Sequence, residues 1–216
     1  EGRALAMRAP IDLRVNTLKA TRTAMLDELS HLKATATRLA PNALRVPIGE
    51  GPAKPPHVQS EPAYKRGLVE IQDEGSQIAA ALANAKPGEL VLDFCAGAGG
   101  KTLAMAAEMQ NKGTIHVYDA DKRRFGDLFE RLERAAVRQV DVRHPERPDP
   151  LGPLEGRMDL VLVDAPCTGT GTWRRRPDAK WRVTPNALAG RTREQDEVLA
   201  KAARMVRPGG RVVYIT

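Results

Sequence analysis

The sequence is poor in the residues that build cross-linked or metal-clustered proteins. Only two of its 216 residues are cysteines, Cys95 and Cys167, which excludes a disulfide framework. They show no C-x-x-C spacing, and the four histidines, His31, His57, His116 and His144, are scattered, so no metal is expected. Thiol chemistry is the one cysteine role left to argue. No apolar run approaches the ~18 residues of a membrane-spanning helix, and the start, EGRALAMRAP, lacks the basic-then-apolar order of a signal peptide. The expectation is a soluble, cytoplasmic chain. Repeats and low-complexity tracts are absent too. What is present is 42% hydrophobic and 28% charged residues, enough for one large core or a core with a small accessory unit. Acid is in moderate deficit: 27 Asp and Glu against 34 Lys and Arg leave +7, which favours an anionic partner such as nucleic acid. A first residue other than Met and an apolar last stretch, GGRVVYIT, suggest a fragment.

Residues 11–16, IDLRVN, alternate like a strand, and TRTAMLDELSHL follows with a Thr cap and Met25, Leu26, Leu29 and Leu32 at helical spacing. A strand-like LRVPI leads into the proline-rich GEGPAKPPHVQSEP, which cannot continue a helix or central strand. This places a boundary near residue 62, between a small α+β unit over 1–62 and a second domain over 63–216. The second domain alternates apolar strands (GLVEIQ, LVLDF, IHVYDA, RMDLVLVDA, RVVYIT) with amphipathic helices. The helix near residue 128 puts Phe125, Leu128, Phe129 and Leu132 at positions i, i+3, i+4 and i+7; a PGG turn precedes the last strand. Strands apolar throughout and separated by helices predict an α/β fold with a parallel sheet covered on both faces.

In such a fold ligands sit beyond the carboxyl ends of the strands. The first strand-loop-helix turn of the second domain reads VLDFCAGAGGKT, where Gly97, Gly99 and Gly100 let the backbone approach a ligand. A phosphate loop, G-x-x-x-x-G-K-[ST], is matched at Gly100-Lys101-Thr102, but its first glycine falls on Cys95. The strand LVLVD, ending at Asp164, keeps an NTPase in contention, because it resembles the magnesium-holding strand of such proteins. A dinucleotide fingerprint is incomplete as well. The remaining ligand is an adenosine cofactor whose ribose hydroxyls meet Asp119 at the end of IHVYD. The bland alternative is a tight turn, with Asp119 capping a helix.

Two stretches, VLDFCAGAGGKT and DLVLVDAPCTGTGTWRRRPDAKWR, resemble the cofactor loop and the cytosine-site loop of RNA cytosine-5 methyltransferases of the Sun/RsmB type, which modify ribosomal RNA. PIDLRVNTLKATR resembles the segment before the catalytic domain in that family, and YKRGLVEIQDEGSQ its first catalytic-domain motif. The resemblance implies a Rossmann-like class I methyltransferase sheet, here C-terminally incomplete, using S-adenosylmethionine to methylate a cytosine in RNA. It implies a cofactor site formed by Cys95, Ala96, Gly97, Ala98, Gly99, Gly100 and Lys101, with Asp119 at the ribose and Asp164 between cofactor and base. Ala98 stands where the family usually has proline. Asp141 is the nearest match to the acid beside the adenine. The family's attacking cysteine follows the threonine that is here Thr216.

The chemistry explains the groups. Carbon-5 of cytosine is a poor nucleophile until a thiolate adds at carbon-6, and covalent catalysis divides the barrier. Asp164 is expected to bond the ring nitrogen and amino group, and Lys101 to orient the base or a proline carbonyl. Cys167 is expected to release the product; in the DNA enzymes the cysteine after the same proline attacks, and a buried small hydrophobe is the third possibility. Arg174, Arg175, Arg176, Lys180 and Arg182, interleaved with Trp173 and Trp181, form the expected RNA contact, with one tryptophan reserved for packing. Arg14, Asn16 and Lys19 are further candidates, on equal terms with a solvated face. The helix carrying Gln195 is expected only to pack on the sheet. RNA is the expected partner, a monomer the expected state. A phosphate-loop NTPase and a non-catalytic RNA-binding methyltransferase shell remain the alternatives.

Overall fold

The computed structural model describes residues 7–49 and 54–216. Residues 1–6, at the start weighed as a leader, and residues 50–53, in the proline-rich segment, lie outside the described residues. Two sheets organise the rest. In the first, β1 (Ile11–Val15), β2 (Thr35–Ala36), β3 (Ala43–Val46) and β4 (Val69–Ile71) pair antiparallel in the order β2-β3-β1-β4. Helices α1 (Arg22–Glu28) and α2 (Pro62–Lys65) accompany it. The Thr21 hydroxyl accepts the Ala24 N–H at 3.3 Å, which starts α1 where the cap was expected. Leu13, Val15, Met25, Leu29, Leu44, Val46 and Val69 close one core beneath this sheet.

That core corrects the boundary at residue 62. Strand β4 pairs with β1 through Leu13↔Ile71, Arg14↔Glu70 and Val15↔Val69, so the first unit extends past the proline-rich segment to Ile71. The prolines connect elements of one unit rather than two domains.

The second sheet comprises β5 (Leu90–Asp93), β6 (Thr114–Tyr118), β7 (Val140–Arg143), β8 (Met158–Asp164) and β9 (Val206–Ile215), all parallel in the order β7-β6-β5-β8-β9. Helices α3 (Glu74–Leu82), α4 (Gly100–Glu108), α5 (Leu128–Arg134) and α6 (Pro185–Met205) cover it. Alternate residues of β8 show why its sequence is apolar throughout. Leu160 and Leu162 join a core with Leu103, Ile115 and Leu128 on one face, while Val161 and Val163 join Leu92, Phe94, Ala202 and Met205 on the other. The chain winds outward from β5 to β7 and then returns to place β8 on the opposite side of β5. The order therefore switches between β5 and β8, and the crevice at their carboxyl ends is where an open α/β sheet receives its ligand.

Local departures have local causes. Strand β7 lies in VRQVDVRHPERPDP, where no strand was expected, because its charged residues conceal the alternation. Phe125 belongs to a 3₁₀ turn ahead of α5, which shifts the helical phase; Phe125, Leu128 and Leu132 are buried while Phe129 faces solvent, 61% exposed. Strand β9 begins before the expected PGG turn and passes through it with a register irregularity opposite Met158 and Leu160.

The two units are bolted together by residues that were candidates for RNA. Arg14 is buried, donates from Nε to Gln72 Oε1 at 2.7 Å, and is drawn down to a pKa of about 10 by desolvation. The Asn16 amide is buried and donates to the Gly67 and Ala135 carbonyls, both at 2.9 Å. Neither is open to a phosphate, because both side chains are buried. Lys19 donates to the Arg134 carbonyl at 3.0 Å and also to that of Arg66.

Candidate functional site

The turn from β5 into α4 is shaped by its glycines. Gly99 caps α4 at φ +80°, and a Cβ there would lie 2.3 Å from Leu128 Cδ1, so neither the conformation nor the space admits a side chain. The Gly97 N–H is held at 2.9 Å by Asp119 Oδ2, and the Ala96 N–H reaches the Tyr118 carbonyl at 3.1 Å, so the end of β6 fixes the loop. Asp119 is 3% exposed, accepts the Asp121 N–H at 3.0 Å and pairs with Arg124 at 3.0 Å. At Ala98, where the resemblance expects proline, the carbonyl accepts from Arg131 Nη1 at 2.7 Å. Arg131 is in turn held by Glu70, which also pairs with Arg134 and is 1% exposed. A carboxylate of the first unit thereby steadies the loop through one arginine.

Asp164, at the end of β8, accepts from Lys101 Nζ at 2.5 Å. Its side chain is 42% exposed against 12% for Lys101, so the amine is sheltered and the carboxylate keeps an open side. A cavity of about 570 Å³ is lined by Tyr118, Asp119, Asp121, Arg124, Asp164 and Cys167; a second of about 220 Å³ is lined by Gln72, Ser76, Asp93, Gly100, Lys101 and Asp164. Cys95 and Asp164 line both. The two thiols differ sharply. Burial, with the charges of Asp119 and Asp93, pushes the Cys95 thiol up to about 12, so it is no nucleophile near neutral pH. Cys167 is exposed, and the Gly169 N–H points at its sulfur at 3.4 Å.

Phosphate-loop geometry is absent from this turn. The Thr102 hydroxyl is buried and donates to Asp93 Oδ2 at 2.6 Å, and the Lys101 amine is committed to Asp164. Neither is free for a magnesium nucleotide. Among the described residues no cluster of His, Cys, Asp and Glu could hold a metal, and no helix is long and apolar enough to cross a membrane.

Residues 80–216, well over half of the chain, match the model of the 16S rRNA methyltransferase RsmB/F family. The chain belongs to this family. It is 32% identical over 209 residues to a probable ribosomal RNA small subunit methyltransferase B of Synechocystis, covering 95% of this chain and 46% of that protein. Against the probable counterpart of Bacillus subtilis the identity is 33% over 210 residues, covering 94% and 45%. The chain thus spans about half the length of the curated relatives it matches. The crystal structure of a methyltransferase homolog protein from Pyrococcus horikoshii superposes with a TM-score of 0.79 at 29% identity, over 98% of this chain and 66% of the other. The Rossmann-like methyltransferase sheet expected from the sequence is therefore the fold of this RsmB/F member.

Other expected site residues fall elsewhere. Asp141 accepts from His116 Nδ1 at 3.0 Å and pairs with Arg143 at 2.8 Å, partway along β7 and outside the Asp119 cavity. It therefore does not reach an adenine there; Asp121, two residues beyond Asp119, does line the cavity. In the basic stretch, Arg174 donates to the Met7 and Arg8 carbonyls, both at 3.2 Å, and Arg175 pairs with Asp73. Arg174 thus ties the loop after β8 to the segment before β1, and Arg175 ties it to the start of α3. Arg176 and Lys180 are exposed, Arg182 pairs with Asp178, and the Lys180 amine lies 4.8 Å from the Trp181 ring. Trp181 is 79% exposed, while Trp173 is partly buried and is the packing tryptophan of the pair. The sequence reading missed Gln195, whose amide donates to the Pro166 carbonyl at 2.8 Å. The available signal was its place on the sheet-facing side of α6, at spacing i, i+3, i+7 and i+10 with Val198, Ala202 and Met205.

Asp93 supplies a pH signature. It is fully buried, one of its oxygens lacks a hydrogen-bond partner, and desolvation raises its pKa from 3.8 to about 6. Between those values the folded protein holds a proton that the unfolded chain has released, so stability falls as pH rises through this window and the full penalty, about 3 kcal/mol, persists above it. Asp93→Asn should flatten this dependence. The test is thermal unfolding of both proteins between about pH 4 and 7; a wild-type-minus-variant difference independent of pH would show that Asp93 keeps no proton on folding.

Proposed function

We propose that the full-length protein transfers a methyl group from S-adenosylmethionine to carbon-5 of a cytosine in ribosomal RNA, through a covalent cysteine–cytosine adduct, in the cytoplasm. The observation that carries this reading is the Lys101–Asp164 pair at the junction of the two cavities. The fit to the cofactor is one of shape and donors. A nucleoside needs a carboxylate at its hydroxyls, which Asp119 offers in the larger cavity, and the amino-acid end needs backbone it can approach, which Ala96 and Gly100 offer in the wall of the smaller one. When bound, the cofactor supplies an electrophilic methyl group; carboxylates at Asp164 and Asp93 favour its positive sulfonium.

The residues of the chain do the rest. Lys101 occupies one Asp164 oxygen, leaving the other to accept a hydrogen bond from the amino group of the base. The attacking thiol is assigned to a cysteine following Thr216 in the full-length protein, and its addition to carbon-6 makes carbon-5 nucleophilic. After transfer, the carbon-5 proton leaves and the thiolate is expelled, with Cys167 assisting that release. Methyl transfer from labelled cofactor to ribosomal RNA, with the product nucleoside identified as 5-methylcytidine, tests the reading. Methylation at the amino nitrogen instead would overturn it.

RNA contact is assigned to the exposed part of the loop after β8. Since Arg174 and Arg175 are engaged with the protein, Arg176→Ala should flatten the log-log salt dependence of single-strand binding by about 0.7, and Arg175→Ala much less. Trp181→Ala should weaken binding by about 1 to 3 kcal/mol through lost stacking, with no change in thermal stability. Filter-binding titrations over a range of salt measure both; a slope indifferent to Arg176 would mark the stretch as a solvated face.

A further inference from the structure

Strands β8 and β9 run side by side, and Asp164 and Ile215 are the last paired residues between them. The Ala165 N–H donates to the Ile215 carbonyl at 2.9 Å. Beyond this point lie the Cys167 loop on one side and Thr216 on the other.

Just past the last pair, a side chain from α6 reaches both chains. Gln195 Nε2 donates to the Pro166 carbonyl at 2.8 Å and to Thr216 Oγ1 at 2.9 Å, spending both amide hydrogens on the two strand ends. The helix itself docks through Val198, Ala202 and Met205, all packed against the sheet. On that face an apolar residue would serve docking at least as well as glutamine. A side chain with two donors on one nitrogen is what two acceptors on separate strands require.

We propose that Gln195 is a positioning residue that fixes the spacing and orientation of the two strand ends bearing the reacting thiols. The inference rests on the functional reading above, which assigns product release to Cys167 and attack to the residue after Thr216. Without the bridge, the Pro166 carbonyl turns freely, Cys167 swings with it, and the end of β9 drifts. A displacement of the order of 1 Å between reacting groups costs about 10²-fold in rate.

The test uses the full-length protein carrying Gln195→Leu, which keeps the volume and the apolar docking face, and Gln195→Glu, which keeps the shape but replaces the donors. For Gln195→Leu we expect unchanged thermal stability and KM for RNA, with kcat lower by about ten- to a hundredfold. The carboxylate introduced by Gln195→Glu repels the Pro166 carbonyl, so its kcat relative to wild type should be lowest above neutrality and recover several-fold as acid restores one O–H donor. Arg191, Glu194, Lys201 and Asp164 line the cavity beside Pro166 and are common to both proteins, so the ratio cancels their titration. Amide hydrogen exchange over residues 165–169 should quicken in Gln195→Leu. A kcat within about twofold of wild type, a parallel loss of stability and KM, or a pH-independent ratio for Gln195→Glu would each overturn the assignment. A wild-type protein inert toward RNA would instead overturn the functional reading, and the exchange measurement would then decide whether Gln195 holds the strand ends.

Discussion

Asp119→Ala in the full-length protein is expected to weaken S-adenosylmethionine binding by about ten- to a hundredfold while leaving RNA affinity unchanged. One part of the loss is a charge-assisted hydrogen bond to the ribose, roughly 1.5 to 3 kcal/mol. A second part is structural, because the same carboxylate holds the Gly97 and Asp121 N–H groups and pairs with Arg124. Asp119→Asn separates them. Its carbonyl oxygen can still accept the Gly97 N–H, but its neutral amide neither balances Arg124 nor attracts two hydroxyls, so its affinity should fall between wild type and Asp119→Ala. Calorimetry with the cofactor and with its demethylated product measures all three proteins. A dissociation constant for Asp119→Ala within threefold of wild type would remove Asp119 from the site, and tight magnesium-ATP binding with no cofactor heat would restore the NTPase alternative.

The sequence made the strand ends more legible than the joint between the units. The Gly97–Gly100 turn, Asp119 and Asp164 sit at strand ends, and strand ends follow from hydrophobic runs that periodicity exposes. Partnership between strands does not. The short run that becomes β4 suits either sheet, and only its pairing with β1 reveals that the proline-rich segment is internal. Arg14 and Asn16, expected either to contact RNA or to lie on a solvated face, are buried for the same reason: their partners lie 58 and 119 positions away at Gln72 and Ala135. Burial of a polar side chain is a property of the whole fold, so it leaves no local trace.

The Glu70–Arg131–Ala98 connection gives that joint a functional consequence. The carboxylate comes from the first unit, the guanidinium from α5, and the carbonyl from the cofactor loop. With alanine where the family usually has proline, the loop lacks a rigid ring, and the Arg131 bond at 2.7 Å limits it instead. Arg174 makes a second joint, from the loop after β8 back to Met7 and Arg8, and Arg175 ties the same loop to Asp73 at the start of α3. The turn after β5 and the loop after β8 are thus both anchored to the small unit.

Replacing Cys167 by alanine in the full-length protein is expected to abolish turnover and leave the enzyme joined to its RNA. Under the proposed roles a cysteine after Thr216 attacks carbon-6, methyl transfer follows, and the adduct persists because the step that releases it is disabled. The adduct should survive denaturing electrophoresis, carry label from the methyl donor, and disappear on ribonuclease digestion. Cys95 cannot substitute for either thiol, since desolvation and the charges of Asp119 and Asp93 push it up to about 12. Under these roles a chain ending at Thr216 should form no adduct, because the attacking cysteine is removed. The opposite assignment, with Cys167 as nucleophile, predicts that Cys167→Ala eliminates adducts altogether. Denaturing gels of wild type, Cys167→Ala and the shortened chain, each incubated with methyl donor and substrate RNA, separate the two. An active wild type beside a Cys167→Ala protein that never shifts on the gel would reverse the roles of the thiols.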